Sequence, residues 1–420
     1  MYQWSDEHRA IINAVRRFVD QEIRPQLDDL EHHGLAPYDV LRKMYDVFGL
    51  RAVADESFAR QLARKLAPHD AGESAADGGD RGALTVSFSD PALTLLPTIE
   101  LCRVSPGLVT ALGVSVGLAA GTINRLGTPA QMTRWGRALL TLETVGSWAI
   151  TEPDSGSDAL GGMRTSARRD GDGYVLNGQK SWITNGPYAD TIVLYAKLDD
   201  GTGHDARTRP VLAFVLDAGM EGLTQSAPMR KMGQHASPTG DIFLSDVRVG
   251  ADRLLGESEH AVGGGRQSAR DNFVTERAGI AAMSLGIIEE CTRLAVDYAR
   301  QRTLWDKPIG EFQLIQLKLA QMEVARINVR NLVFSHIERA REGATPTLAE
   351  ASAMKLYSAQ AACQVADDAI QIFGGNGYVA EYRVEQLSRD ARVLRIYAGT
   401  DEMQVVAIAK DLLRLDLTRH

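Results

Sequence analysis

The hydrophobic and polar positions follow three successive patterns along the chain. Over residues 5–140 the apolar positions recur mostly at spacings of three and four, which predicts helices. A polar, glycine-rich stretch at 69–82, HDAGESAADGGDRG, interrupts this pattern and is typical of a mobile surface loop. From residue 146 short β-rich runs replace the helical spacing, which returns from residue 272. This order predicts a helical unit, a β unit and a second helical unit.

The middle pattern consists of short apolar runs bounded by turn residues, with no long helical stretch between them. The runs are GYVLNGQKSWITNG, DTIVLYAKLD, VLAFVLDAG and DIFLSDVRV. The first contains Asn177-Gly178 between two strand-like halves, a pair that favours the tight turn of a β-hairpin. Successive short strands joined by turns commonly pair antiparallel. We therefore predict an antiparallel sheet, as a barrel or sandwich, over residues 146–255.

Three long helical stretches occupy the last third of the chain. The first, TERAGIAAMSLGIIEECTRLAVDYARQR, carries an apolar stripe at helical spacing: Ile280, Met283, Ile287, Cys291, Leu294 and Tyr298. Two further stretches, FQLIQLKLAQMEVARINVRNLVFSHIERA and LAEASAMKLYSAQAACQVADDAIQIF, are separated by REGATPT. Such lengths predict a helical bundle. The chain is thus expected to be an α+β multidomain protein, with domains at 1–145, 146–255 and 256–420.

Composition narrows the class of protein. A chain of 420 residues is longer than one hydrophobic core usually serves, which agrees with several packed units. A net charge of -8 argues against a general nucleic-acid binder and against a surface drawn to anionic membranes, because both need excess Lys and Arg. The cysteines Cys102, Cys291 and Cys363 have no paired spacing. We therefore expect a reducing compartment, no disulfide framework and no metal site.

Two stretches bear on localisation. Residues 1–25 have helical spacing but contain four acidic residues, which a transit peptide avoids, so we expect a mature cytoplasmic protein. The apolar run LVTALGVSVGLAAGTI at 108–123 is too short and too rich in glycine for a membrane span. It predicts a buried core helix instead.

Three segments are candidates for ligand contact: SWAITEPDSGSD at 147–158, KSWITNG at 180–186 and QIFGGNGY at 371–378. Glycines admit backbone close to a polar ligand, and a tryptophan can wall a flat ring. Each segment is also compatible with a structural role alone: a Pro-Asp turn, a core tryptophan, or a helix C-cap with a tight turn. QIFGGNGY follows a helix and not a strand, so it is no dinucleotide fingerprint, and AVGGGRQ at 261–267 is a linker.

Six segments in a fixed order carry a family resemblance: AITEPDSGSD, YVLNGQKSWITNGPYADTIVLYAKLD, SPTGDIFLSDVRV, RQRTLWDKPIGEFQLIQ, QIFGGNGY and RIYAGT. Together they resemble the acyl-CoA dehydrogenase family over nearly the whole chain. The resemblance implies an N-terminal helical domain, a middle antiparallel β-barrel and a C-terminal four-helix bundle. It also implies FAD as cofactor, an acyl-CoA substrate, electron-transfer flavoprotein as electron acceptor, and a homotetramer.

The resemblance further implies roles for single residues. Positions that line the flavin ring are matched by Trp148, Ile150, Thr151, Trp182 and Thr184. The stretch that reaches the FAD of a neighbouring subunit is matched by Arg302, Trp305 and Gln313. The pyrophosphate and adenine contacts are matched by Gln371, Gly374 and Gly375. A turn beside the cofactor is matched by Thr400 and Glu402. The acyl-CoA contacts are matched by Ser157, Val274, Arg277, Ala398 and Gly399.

The chain departs from the family pattern at three places. Residues 51–100 lack the usual P-E-x-x-G-G segment, which leaves one wall of the acyl pocket undefined. Leu304 replaces a residue that is commonly polar on the cofactor side. The third departure is Ala398 in RIYAGT, because most members carry the catalytic carboxylate there and a methyl group cannot take a proton.

The resemblance implies a reaction that removes a proton from the carbon beside the thioester and a hydride from the next carbon to the flavin. A C–H beside a thioester is a very weak acid, so a carboxylate must take this proton. Members that resemble isovaleryl-CoA and long-chain acyl-CoA dehydrogenases carry the glutamate directly before the arginine of an E-R pair on another helix. Here FVTERAGIAAMSLG places Glu276 before Arg277 at the matching position. We therefore predict that Glu276 takes the α-proton, while the Ala398 N–H and a flavin ribityl hydroxyl bind the thioester oxygen.

Two other classes of function stay open at this point. One is a catalytically silent acyl-CoA- or FAD-binding subunit of a mixed oligomer, which Ala398 alone would favour. The other is an oxygen-using acyl-CoA oxidase or flavin monooxygenase of the same fold. Glu276 and the complete set of flavin positions favour the dehydrogenase.

Overall fold

The structure is a computed structural model that describes residues 4–67, 90–201, 207–259 and 264–414. The predicted surface loop at 69–82 lies outside the described residues. The described chain begins with helices, continues as a β-sheet and ends with helices, as the three sequence patterns predict.

The N-terminal part is helical. Its helices are α1 Asp6–Phe18, α2 Leu27–His32, α3 Tyr38–Val47, α4 Leu50–Leu66, α5 Ala92–Cys102, α6 Pro106–Leu112, α7 Ala120–Leu126, α8 Pro129–Gln131 and α9 Arg137–Leu140. Capping boxes begin two of them, because the Ser5 hydroxyl accepts from the His8 N–H and the Thr128 hydroxyl accepts from the Gln131 N–H.

The most apolar of these stretches, Pro106–Leu126, comprises α6, a π-helical segment at Gly113–Ala119 and α7. Among the described residues it is the one helix long and apolar enough to cross a membrane. Most of its apolar side chains, among them Leu108 and Ile123, are buried in the protein, which confirms the predicted core helix. Just before the π-helical segment, the Ala111 carbonyl accepts a 2.9 Å hydrogen bond from the Asn185 amide. The same amide donates to the Gly146 carbonyl.

The middle part forms one seven-stranded sheet. Its strands are β1 Gly146–Ala149, β2 Ser166–Asp170, β3 Gly173–Thr184, β4 Thr191–Asp199, β5 Val211–Asp217, β6 Leu223–Gln225 and β7 Thr239–Gly250. They lie in the order β1-β4-β2-β3-β7-β6, with β5 on the other edge of β4. The sheet forms a half-barrel and not a clearly closed barrel, so the predicted β-barrel is only partly confirmed.

The predicted purely antiparallel pairing is wrong, since β1 and β2 both run parallel to β4. The connection between β1 and β2 is held onto the sheet by Glu152. Its carboxylate accepts the Arg164 and Thr165 N–H groups at 2.6 and 2.9 Å. It also pairs with the fully buried Lys180 at 2.8 Å. A buried ion pair between distant segments does not change the spacing of apolar residues. The apolar pattern therefore did not predict the parallel pairing of β1 and β2 with β4.

The predicted hairpin at Asn177-Gly178 is wrong as well. Strand β3 continues through this pair, and the register against β7 shifts there as a β-bulge. The Asn177 side chain exchanges hydrogen bonds with Asp246 across the bulge, a role that keeps it extended. The actual turn between β2 and β3 contains Gly171 at φ +62°.

The C-terminal part contains the predicted long helices. They are α10 Gly264–Gln301, α11 Gln313–Arg341, α12 Leu348–Phe373, α13 Val384–Arg392 and α14 Asp401–Leu412, with a two-stranded hairpin, β8 Thr303–Leu304 and β9 Lys307–Pro308, after α10. The predicted stripe on α10 is buried at Ile280, Met283, Ile287 and Cys291. Helix α10 packs on α11, α12 and α5, so it reaches from the bundle into the N-terminal part.

Candidate active site

The predicted base lies on the long central helix α10. Glu276 is partly buried, and its neighbour Arg277 is buried. Among the described residues no group donates a hydrogen bond to the Glu276 carboxylate. Burial raises the pKa of this carboxyl to about 7, an effect that the positive charges of Arg277 and Lys355 partly offset. A carboxylate with free oxygens and a pKa near neutrality is suited to take a proton.

Arg277 joins α10 to the RIYAGT turn. Its Nε donates to the Ala398 carbonyl at 3.4 Å, and its Nη1 donates to the Ser352 hydroxyl of α12 at 2.8 Å. Its guanidinium also lies over the Phe273 ring, 5.7 Å from the centroid. The structure thus brings Glu276, Arg277, Ala398 and Gly399 together.

The RIYAGT turn has an unusual backbone. Ala398 has φ +54° and Gly399 has φ +86°, so two successive residues are left-handed. Few side chains adopt this region, and alanine there is strained by about 1 kcal/mol. The Gln404 amide donates to both carbonyls, at 3.1 Å to Ala398 and 2.7 Å to Gly399. Among the described residues nothing accepts from the Ala398 N–H, which is therefore available to a ligand.

Sequence reasoning missed three residues that hold this turn: Ser352, Lys355 and Gln404. The Lys355 Nζ is fully buried and donates to the Gly399 carbonyl at 2.8 Å. It lies 3.8 Å from Asp401, which also receives Arg395 at 2.7 Å. The sequence gives little signal for Lys355, because α12 carries several other polar residues, among them Glu350 and Asp368.

We expect Gly399→Ala to destabilise the fold. A Cβ at this position would lie 2.8 Å from the Gln404 amide nitrogen, and φ +86° disfavours any side chain. The free energy of unfolding should fall by about 1–3 kcal/mol, measured by denaturant titration. Gly113→Ala is the matched control, because no atom lies within 4 Å of its added Cβ. Equal stability of Gly399→Ala and wild type would contradict the strain.

The predicted flavin-lining residues lie on adjacent strand ends. Trp148 and Ile150 are buried, and the Trp148 ring meets the Phe273 ring of α10 edge-on at 6.4 Å. Thr151 and Ser181 exchange hydrogen bonds of 2.9 Å, backbone N–H to carbonyl and hydroxyl to carbonyl. Next to Ser181, Trp182 is 63% exposed at φ +64°, in an irregular part of β3. Thr184, two residues further on, is half-buried.

A second predicted group lies at the far end of α10. The Arg302 N–H donates to the Tyr298 carbonyl at 2.8 Å, and Tyr298 stacks on Phe373 and receives the Asn376 amide. This contact brings the QIFGGNGY segment beside Arg302. The remaining predicted residues of the group are exposed: Trp305, Gln313, Gln371, Gly374 and Gly375. Leu304 is also exposed, in the hairpin beside them.

Four further predicted residues lie in the turn after β1, on α10 and at the start of α14. Ser157 is exposed in the turn after β1, and Val274 is half-buried on α10. Thr400 is the N-cap residue of α14, and Glu402 is exposed in its first turn, where backbone and Thr400 hydrogen bonds lower the pKa of its carboxyl. The described residues contain no group of three or more metal-binding side chains.

Three family models match the chain in order. They are the acyl-CoA dehydrogenase N-terminal domain over residues 5–57, the middle domain over 147–247 and the C-terminal domain over 263–413. The mitochondrial isovaleryl-CoA dehydrogenase of Arabidopsis thaliana is 35% identical over 412 residues, which is 98% of this chain and 92% of that protein. The chain belongs to the acyl-CoA dehydrogenase family.

Solved structures agree with this membership. Butyryl-CoA dehydrogenase from Megasphaera elsdenii superposes with a TM-score of 0.80 at 31% identity, covering 99% of this chain and 100% of that one. A glutaryl-CoA dehydrogenase from Mycobacterium smegmatis in complex with FADH2 gives 0.79 at 27% identity, over 97% of this chain and 95% of that one. As a member of this family, the protein is an FAD-dependent oxidoreductase acting on acyl-CoA.

The residues of this acyl-CoA dehydrogenase fit an FAD. Trp182 presents a largely exposed ring at a strand irregularity, which suits a flat partner. Gly374 and Gly375 have open space where a Cβ would stand, so backbone can approach a diphosphate. Arg302, exposed beside them, can donate paired hydrogen bonds to phosphate oxygens.

Proposed function

We propose that the protein converts an acyl-CoA thioester to the trans-2-enoyl-CoA and that Glu276 is the base. The observation that carries this proposal is the proximity of the Glu276 carboxylate to the Ala398 N–H, since neither makes a hydrogen bond with any described residue. Removal of an α-proton needs such a carboxylate together with donors for the developing enolate oxygen.

In this mechanism Glu276 accepts the α-proton and the Ala398 N–H binds the thioester oxygen. Arg277 does not act on the proton itself, because its guanidinium is engaged with Ala398 and Ser352. It orients the turn and lowers the energy of the ionised base. Bound FAD supplies the acceptor for the β-hydride. We propose that its ring system is held at the strand ends by Trp148, Ile150, Thr151, Trp182 and Thr184.

The two groups of predicted cofactor residues favour a site shared between copies of the chain. Glu276 and Tyr298 are 22 positions apart on the continuous helix α10, which at ~1.5 Å per residue separates them by about 33 Å. Arg302 follows Tyr298, so it is too distant to hold the same flavin as Glu276 of its own chain. We propose that the protein is a homotetramer in which the FAD of one subunit is contacted by residues of a neighbouring subunit: Arg302, Trp305, Gln313, Gln371, Gly374 and Gly375.

We expect the rate of flavin reduction to depend on pH through Glu276. Because the pKa of its carboxyl is raised to about 7, the base is protonated and inactive at lower pH and ionised above it. The rate should therefore rise with pH and level off, with a midpoint near 7. Stopped-flow flavin bleaching between about pH 5 and pH 9 measures this. A rate that does not change across this range would contradict the assignment.

The acyl group is proposed to be branched or longer than a short straight chain, because Ala398 leaves only a methyl group where most members carry a carboxylate. The similarity to an isovaleryl-CoA dehydrogenase supports this preference. The experiment is anaerobic flavin bleaching with short, branched, medium, long and steroid-side-chain acyl-CoA. Strict preference for straight short chains would contradict the proposal on the acyl group, and no bleaching by any of them would favour a silent subunit.

The proposed electron acceptor is electron-transfer flavoprotein. The test is reoxidation of the substrate-reduced enzyme by electron-transfer flavoprotein and by air, compared at equal concentrations. Rapid reoxidation by air with release of peroxide would instead identify an oxidase.

A further inference from the structure

Lys355 is a buried charge beneath the RIYAGT turn that the proposed reaction does not use. It lies on α12, in an otherwise largely apolar helix face, and its side chain is fully buried. Burial of an ammonium group is costly unless it is paired and hydrogen-bonded. Its partners are the Gly399 carbonyl at 2.8 Å and Asp401 at 3.8 Å, so the partners of the charge lie in the turn and the helix that follows it.

The turn depends on such contacts because its backbone is strained. Ala398 and Gly399 are both left-handed, and strained residues persist only where the surroundings fix them. In a planar trans peptide the carbonyl and the next N–H point in opposite directions. Holding the Gly399 carbonyl with Lys355 and Gln404 therefore also fixes the direction of the Thr400 N–H. The Ala398 carbonyl, held by Arg277 and Gln404, fixes the Gly399 N–H in the same way.

Lys355 also acts on Glu276 through charge. The groups that face the Glu276 carboxylate are Arg277 of the same helix, Lys355 of α12 and Tyr397 of the turn. Both cations favour the ionised carboxylate. Burial lowers the pKa of Lys355 itself to about 8, while Asp401 favours its charged form. Arg277 and Arg395 oppose that charge.

We propose that Lys355 is a positioning residue that anchors the Ala398–Gly399 turn and stabilises the ionised form of Glu276. The inference rests on the proposed function, in which Glu276 is the base. Through Lys355, helix α12 would hold the base and the thioester-binding turn in a fixed relative position. The same lysine side chain contacts the turn and interacts electrostatically with Glu276. A purely structural lysine would stabilise the fold without changing the titration of Glu276.

The test is the titration of Glu276 in variants that lack this charge. Lys355→Met and Lys355→Gln both remove it, so one variant serves if the other does not fold. Infrared spectroscopy follows the band of the protonated Glu276 carboxyl as pH changes. This band is identified by its absence from the spectrum of Glu276→Gln. We expect the midpoint to move upward by about one pH unit, and flavin reduction at pH 7 to fall about fivefold and to recover at higher pH.

Two controls accompany this test. Lys355→Arg keeps the charge and should retain the wild-type midpoint. Lys65→Gln removes another lysine that donates to a backbone carbonyl, that of Arg125 at 2.7 Å, and should change neither readout. An unchanged Glu276 midpoint in folded Lys355→Met or Lys355→Gln overturns the proposal. If Glu276→Gln reduces its flavin at the full rate, the proposed base is wrong, and the infrared midpoint still reports separately on Lys355.

Discussion

Replacing Glu276 with glutamine is expected to give a yellow, folded, FAD-loaded protein that no longer bleaches with substrate. The amide keeps the shape of the side chain but cannot accept the α-proton, so flavin reduction should slow by at least ~10²–10⁴-fold. Rapid mixing with acyl-CoA under anaerobic conditions measures this rate. Glu276→Asp is the matched variant, since it keeps a carboxylate at greater distance and should lose less.

Although Glu276→Gln should lower activity, it should raise the free energy of unfolding. Burial raises the pKa of Glu276 to about 7, so ionising it in the folded state opposes folding. This cost is absent below the unfolded pKa, grows as pH rises, and is complete above pH 7. Glu276→Gln should therefore be more stable than wild type above pH 7, by ~1–3 kcal/mol in denaturant titrations. A stable variant that bleaches at the wild-type rate would remove Glu276 from the mechanism.

Co-expression of Glu276→Gln with Arg302→Glu is expected to restore activity that neither variant has alone. Arg302→Glu should lose FAD, because a carboxylate repels the diphosphate that the guanidinium would bind. If the site combines Glu276 of one copy with Arg302 of another, random assembly leaves about a quarter of the sites intact. Purification through two different tags, followed by flavin bleaching, measures this fraction.

Wild type co-expressed with the double variant Glu276→Gln, Arg302→Glu gives the complementary result. A shared site again leaves about a quarter of the sites intact, whereas a site built within one chain leaves about a half. Arg300→Glu is the matched charge control, because Arg300 is exposed on the last turn of α10 and has no assigned contact with FAD. Mixed assemblies that contain both single variants and stay inactive would contradict the shared site.

Local patterns predicted the helices better than the sheet. The apolar stripe of α10 is a property of one segment, and four of its six residues are buried as expected. The pairing of β1 and β2 with β4 depends instead on contacts such as Glu152 with Lys180, 28 positions apart. At Asn177 the local preference for a turn is overridden by hydrogen bonds to Asp246. Interactions between distant segments decide such cases, and a single sequence does not display them.

In the candidate site, too, some residues could be predicted from local sequence and others could not. Glu276, Arg277, Ala398 and Gly399 could be assembled from the sequence because two recognisable segments carry them. Lys355 and Gln404 could not, since their role depends on the direction of two carbonyls in the turn. The directions of these carbonyls depend on the positive φ of Ala398, and an alanine in the sequence does not predict a positive φ.

The Asn185 amide bears on how the protein unfolds. One buried side chain donates to the Ala111 carbonyl of the N-terminal helices and to the Gly146 carbonyl of the first strand, and its oxygen accepts from the Tyr38 hydroxyl. Separating the helices from the sheet would break the two hydrogen bonds that join Asn185 to Tyr38 and Ala111. The helical and β regions should therefore melt in one cooperative transition, and a fragment cut at residue 145 should not fold independently.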